Sequence, residues 1–358
     1  MFCKYMTKLD SGFRRNDGKV AFPIFYERII IKISEFILPL TSTYGKLFRG
    51  NEMRSRMVVV ICLALLAVTL SGVVDAVSQT TGEKDIRDNT GAGMWYPANP
   101  RDLRQTIDLY LSKANPPLPE GRIIAGIVPH AGYMYSGQVA AYTYKLIQNA
   151  SFKRVVLIGF SHRVPFRGFS VSQYSGYKTP LGVAPIDQDF SRALLSVSPQ
   201  MKWIPQAEAQ EHSLENQIPF LQTVLNDFKM VLVFMGEQDF QTCSLLAGEL
   251  TRLLANTQDT VILASTDLSH FHSDQQARAL DGEFIKQVRE FAPEALAKAV
   301  ASASCEACGA GPTIAAMLAA RELGANRSVI LNYANSGDVT GDRRQVVGYL
   351  SAALVKAP

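Results

Sequence analysis

The sequence predicts an α/β protein in which one sheet is covered by helices on both faces. Two observations carry this. Four segments are near-continuous apolar runs: IIAGIV (123–128), RVVLIGF (154–160), MVLVFMG (230–236) and TVILAST (260–266). A strand with one wet face alternates apolar and polar residues, whereas a run without alternation is buried on both sides. The stretches between these runs have helical spacing, so strand and helix alternate along the chain. At 47% hydrophobic and 19% charged over 358 residues, the composition supports a sizeable core.

The front of the chain is read separately. Residues 53–76, MRSRMVVVICLALLAVTLSGVVDA, pass from Arg54 and Arg56 through apolar Met57–Val68 to small residues and a cleavage site at Val74-Asp75-Ala76. That is the order of a secretory signal peptide and predicts an exported protein, periplasmic or extracellular. The alternative is an uncleaved membrane anchor, with Thr69–Val74 extending the apolar core toward the ~20 residues a span needs. Because a signal peptide should start the chain, translation is expected to begin at Met53, which leaves residues 1–52 as a spurious or disordered extension. Residues 77–95 read as a polar linker and 96–358 as the domain. Of the chain's 36 basic and 32 acidic residues, 1–76 hold 11 and 6, leaving 25 and 26 for the body. No basic excess remains to argue for nucleic acid.

Within the body, MWYPANPRDLRQTIDLYLSKA predicts a turn and then an amphipathic helix near 100–113, followed by a proline-rich loop, NPPLPEGR. After the strand at 123–128 comes a helix near 138–148, and after that at 154–160 a hairpin formed by FSVSQY and YKTPLG around a glycine. A helix follows near 187–197. SLENQIPFLQTVLND reads as one helix, with Leu214, Ile218, Leu221 and Leu225 on one face. The strand at 230–236, a helix over SLLAGELTRLLAN and the strand at 260–266 come next. Two helices fill 274–303, one fills 312–323, and SVILNYAN and VVGYLSAALV close the fold around the turn SGDVTGD.

The chain has five histidines, His130, His162, His212, His270 and His272, all within this body. In open α/β sheets ligands bind beyond the carboxyl ends of strands. His130 leaves one strand end, His162 another, and Asp267 and His270 a third. Neighbouring strands lie ~4.8 Å apart, so three ends can converge on one ion. Imidazole and thiolate suit iron, copper and zinc, and His130, His162, His270, Asp267 and Cys308 make such a set. Asp267 could ligate or could fix an imidazole tautomer. Cys308 precedes GAGPTIAAML, where a helix N-terminus would favour its thiolate. The body's cysteines are Cys243, Cys305 and Cys308; an odd count leaves one thiol free, and Cys305-Glu-Ala-Cys308 could close a disulfide.

Each residue alone has a plainer reading. A lone histidine is usually a hydrogen-bonded loop or core residue, Cys308 a small buried hydrophobe, and Asp267 a cap for the next turn. His212 stands just before a predicted helix, which Ser213 or Glu215 could cap, or it donates a hydrogen bond behind the ligands. Asp267–His272 is expected to be a loop with His272 facing solvent. Tyr133 and Tyr135 either pack or contact substrate. G-x-S-x-G, Walker A, a complete G-x-G-x-x-G and H-E-x-x-H are missing from the sequence.

Taken in order, PHAGYMYSG, LIGFSH, EHSLENQIPFL, ASTDLSH, ACG and YANSGDVTGDRRQVVGYLS resemble the Memo family, whose bacterial and archaeal members are called AmmeMemoRadiSam system protein B. The resemblance covers about residues 90–356. It implies a three-layer α/β/α fold with a central mixed sheet, similar to class III extradiol dioxygenases, and a mononuclear non-haem metal pocket holding iron or copper. It further implies His130, His162 and Cys308 as ligands, with His270, oriented by Asp267, as a further ligand or the general base. A cysteine stands where an extradiol enzyme has its ligand carboxylate, and oxidation of Cys308 to a disulfide would remove that thiolate. The implied activity is a metal-dependent oxidoreductase acting on O₂ or a phenolic substrate. The alternatives are a non-catalytic metal- or (phospho)peptide-binding protein in the same pocket and a metal-assisted hydrolase. The family name implies radical-SAM and AMMECR-type partners, which work in the reducing cytoplasm.

Overall fold

A computed structural model describes residues 86–358. The extension 1–52, the signal peptide or anchor 53–76 and residues 77–85 of the expected linker lie outside the described residues. In chain order the elements are β1 (Ile86–Arg87), α1 (Pro100–Lys113), β2 (Arg122–Val128), α2 (Tyr133–Ile147), β3 (Arg154–Phe160), β4 (Phe169–Val171), β5 (Gly176–Thr179) and β6 (Gly182–Pro185). They continue with α3 (Gln188–Ser196), β7 (Met201–Lys202), α4 (Pro205–Glu208), a 3-10 turn (Glu215–Gln217), α5 (Ile218–Val224), β8 (Lys229–Met235), α6 (Phe240–Leu254), β9 (Thr260–Ser265) and β10 (Asp267–His272). The chain ends with α7 (Asp274–Arg289), α8 (Pro293–Ala301), α9 (Ala310–Glu322), β11 (Arg327–Asn335), α10 (Ser336–Thr340) and β12 (Val346–Lys356).

The central sheet is mixed. β2, β9, β3 and β8 run parallel side by side, β12 joins β2 antiparallel, and β4 joins β8 antiparallel. β10 and β11 both pair with β12. A second, three-stranded sheet has the order β1-β5-β6. Period-2 alternation divides the apolar runs between two cores. Val156 and Ile158 of β3, Val231 and Val233 of β8, and Ile262 and Ala264 of β9 pack on one face with α6 and α9. Val155 and Leu157, Leu232 and Phe234, and Val261 and Leu263 pack on the other with α1, α2 and α5. The unbroken apolar strands thus have the helix layer on each side that sequence analysis expects.

The four central strands match their sequence runs to within a residue or two. Four other elements differ. The hairpin is β5–β6, whereas FSV (β4) joins the main sheet beside β8. The predicted helix over SLENQIPFLQTVLND shortens to a 3-10 turn and α5, which has Pro219 in its first turn. Proline suits that position because its missing N–H would have no helical partner there. Asp267–His272 is a strand rather than a loop; register shifts on either side of His270 break the period-2 pattern that would have marked it. Finally, the described end of the expected linker is built into the body. Arg87 lies buried in β1, and its guanidinium pairs with Glu215 at 3.1 Å. Glu215 also accepts from the N–H groups of Thr90 and Gly91 and from the hydroxyls of Tyr96 and Tyr177. Among the described residues no helix is long and apolar enough to cross a membrane.

Candidate metal centre

β2, β9 and β3 are adjacent and parallel, so their carboxyl ends open at one edge of the sheet. His130 follows β2, His162 follows β3, and Asp267 lies just past β9. The third imidazole comes from His212, in the loop between α4 and the 3-10 turn. Donor atoms of His130, His162 and His212 all lie within 4.8 Å of one another. Their ring centroids form a near-equilateral triangle with sides of 5.2, 5.2 and 5.5 Å.

Hydrogen bonds fix two of the tautomers. Ser265 Oγ donates to the Ser213 carbonyl at 2.7 Å and accepts from Gln217 Nε2 at 2.9 Å. Its hydrogen is therefore committed, so His130 Nδ1, 2.9 Å away, must donate to it. The Nε2 lone pair of His130 is left free, facing Cys308 Sγ at 3.3 Å. His162 Nδ1 sits 3.0 Å from Glu211 Oε1, an acceptor only, which frees the Nε2 of His162 in the same way. His212 stacks on Trp95, with ring centroids 4.2 Å apart and planes inclined by 11°. Its Nδ1 is buried with no hydrogen-bond partner.

Glu211 organises this arrangement. Besides His162 Nδ1, it accepts from the N–H groups of His162, His212 and Ser213. Burial pushes its carboxyl up, but the bond and charge of His162, the charge of His212 and the Ser213 N–H outweigh that and bring it to about 2. Burial holds His130 well below its ordinary range, reinforced by His162. Burial and the neighbouring His130 bring His212 to about 3. His130 and His212 are therefore neutral at physiological pH, the protonation state a metal ligand requires.

The structure brings together only some of the sequence set of His130, His162, Cys308 and His270. His130 and His162 come together with His212, which sequence analysis had treated as a cap neighbour or a donor behind the ligands. Cys308 joins through His130. His270 lies outside the triangle, half-buried, and acts on His130 and Asp267 through its charge. Asp267 Oδ2 is 4.0 Å from His130 Nε2, while its Oδ1 accepts from the N–H groups of His130 and Ala131. Burial raises the Asp267 carboxyl, countered in part by His270 and those N–H groups. At Cys308, expected to be a helix-stabilised thiolate, burial and then the Asp267 carboxylate push the thiol up. Cys305 and Cys308 are both free thiols, Cys305 being packed in the core. His272 is half-buried and bonds Glu306 at 2.8 Å. Tyr133 is buried and donates to the Asn216 carbonyl, whereas Tyr135 is partly exposed. Glu211 was missed by sequence analysis. The available signal was the density of polar residues in EHSLENQ, too high for an ordinary helix face.

Beside the histidines lies a cavity of about 950 Å³ with aromatic walls, among them Trp95, Tyr110, Tyr135, Phe271 and Tyr349. It borders the triangle through Ala131 and Trp95 and does not include the imidazoles themselves.

A family model described as Memo-like protein matches residues 87–353. The chain belongs to the Memo-like family. Among Memo-like relatives, MEMO1 family protein MK0963 of Methanopyrus kandleri is 38% identical over 275 residues, 74% of this chain and 96% of that one. A MEMO1 family protein of Methanobrevibacter smithii is 34% identical over 277 residues, covering 74% and 98%. MEMO1 family protein MMP1387 of Methanococcus maripaludis is 36% identical over 288 residues, covering 75% and 99%. Among solved structures, the uncharacterized protein JW3007 from Escherichia coli K12 aligns with a TM-score of 0.42 and 15% identity, over 65% of this Memo-like chain and all of that one.

Proposed function

We propose that this Memo-like protein is a mononuclear non-haem metalloprotein, an oxidoreductase in which iron or copper serves a phenolic substrate held in the adjoining cavity. The observation that carries the reading is the imidazole triangle. Two of its members have their Nδ1 hydrogens held by protein acceptors, and the third has a buried Nδ1 that lies 3.3 Å from Glu211 Oε1 without a hydrogen bond. Two nitrogens on one ion stand at most about 4.2 Å apart, given metal–nitrogen bonds of ~2.1 Å. Donors within 4.8 Å of one another need only small rotations to share an ion. Three imidazoles with a nearby thiol form a donor set suited to iron, copper or zinc.

His130, His162 and His212 would hold the ion, with Cys308 beside His130. When bound, such an ion supplies Lewis acidity and a redox centre for O₂. The protein's own part is orientation. Ser265 and Glu211 hold two imidazoles, Trp95 covers the third, and aromatic side chains line the adjoining cavity. His270, which Asp267 feels electrostatically and which precedes the cavity-lining Phe271, would serve as the base that takes a proton from a phenol.

The test is the metal content of the full chain purified anaerobically, measured by elemental mass spectrometry beside His162→Ala. About one iron or copper per chain is expected, lost in the variant. Oxygen uptake with a panel of catechols should follow. No metal in either protein after reconstitution would overturn the reading. Bound metal without oxygen uptake on any catechol would leave a metal- or peptide-binding protein instead.

A further inference from the structure

Five described non-glycine residues have positive φ: Asn149, Asp227, Phe271, Phe291 and Ala303. Four of them lie just past the C-terminal ends of helices α2, α5, α7 and α8, where a left-handed residue commonly closes the helix. Phe271 alone lies inside a strand. Its neighbours pair as His270 with Val347 and His272 with Val346, so Phe271 is the extra residue of a β-bulge. Its φ is 62°. Such a conformation is costly for a residue with a bulky side chain.

Burial does not offset that cost, because Phe271 is 57% exposed. Glycine or asparagine would hold the same backbone with less strain. The exposed ring lines the 950 Å³ cavity with Trp95, Tyr135 and Tyr349, directly after His270. A bulge that re-aims a side chain, next to a candidate centre, is a recurrent feature of functional sites.

We infer that Phe271 is a specificity-determining residue whose ring forms the face on which a planar aromatic ring of the substrate stacks. The substrate class rests on the proposed function; the stacking surface does not depend on the metal. Aromatic stacking is geometrically selective, favouring offset or edge-on pairs. The cavity accordingly selects flat rings over aliphatic chains of similar size.

The experiment uses the full chain, as purified and after chelation, with 4-nitrocatechol as probe and tryptophan quenching as readout, since Trp95 is in the cavity wall. Phe271→Gly should weaken binding about tenfold or more while keeping or raising Tm and leaving metal content unchanged. Phe271→Tyr should bind as the parent does. Unchanged binding in Phe271→Gly, a Tm lowered by several degrees, or no probe binding by the parent in either state would overturn the inference. Ring-dependent binding in a protein that never takes up metal would sustain the stacking role and fail only the metal reading.

Discussion

Two segments meet at the histidine cluster, Glu211–Gln217 and the strand β10, and they differ in what their side chains touch. In the first, Glu211, Ser213, Glu215, Asn216 and Gln217 are buried, and each bonds another part of the chain. Asn216 Nδ2 donates to the His130 carbonyl and Gln217 Nε2 to the Pro129 carbonyl, so this segment grips the very loop that carries His130. In the second, burial stops at Ser269, His270 and His272 are half-covered, and Phe271 stands in the cavity. One segment fixes ligands and the other presents side chains to whatever enters. Rigid support behind a binding group, with an open face in front, is what preorganisation requires.

The largest effect should come from breaking the gripping segment. Glu211→Ala leaves the His162 imidazole without its acceptor and strands the N–H groups of His162, His212 and Ser213, the first two part-buried and the last buried. Hydrogen bonds to a charged group contribute about 1.5–3 kcal/mol each, so losing several of them should cost about 3 kcal/mol or more in urea unfolding. Metal affinity should fall about 10–100-fold, as when other residues that orient ligands are removed. A stable Glu211→Ala protein with undiminished metal binding would erase the contrast between the two segments.

The two segments were also unequally legible in the sequence. His130 and His162 could be found because apolar runs mark strand ends, and strand ends in a parallel sheet converge. His212 could not, since its position depends on contacts 49 to 125 residues away, such as Glu211 with His162 and Glu215 with Thr90. The same limit explains the hairpin. FSV has the pattern of a strand, but nothing local says that its partner is β8 rather than β5. For β10 the bulges themselves removed the signal, by breaking the alternation that would have marked a strand. Cys308 was placed correctly before a helix, yet the expected thiolate neglected burial, which only the packed structure reveals.

A smaller effect separates partners from burial as the cause of Glu211's ionisation. Glu208, three residues earlier, is also fully buried, and burial pushes it up to about 7 from an ordinary 4.5. Between those values the unfolded chain has lost the proton and the folded chain keeps it. Stability therefore falls as pH rises from 4.5 to 7, by about 3 kcal/mol from this group. Glu208→Gln should flatten that slope in unfolding curves taken across the window. An unaltered slope would mean that Glu208 is ionised in the fold, and burial could not then be the force that partners overcome at Glu211.

The smallest effect belongs to His272, at the open end of β10. It pairs with Glu306 at 2.8 Å, but the side chains are 33% and 44% exposed. Exposed pairs contribute about 0–1 kcal/mol, because solvent screens the attraction and holding two side chains costs entropy. His272→Ala should therefore change urea stability by less than about 1 kcal/mol. It should leave metal content intact, since the residue lies outside the imidazole triangle despite being the same residue type, two positions from His270. Loss of metal in His272→Ala would mean that β10 helps to hold the ion, and the division between a gripping segment and a presenting strand would have to be redrawn along β10 itself.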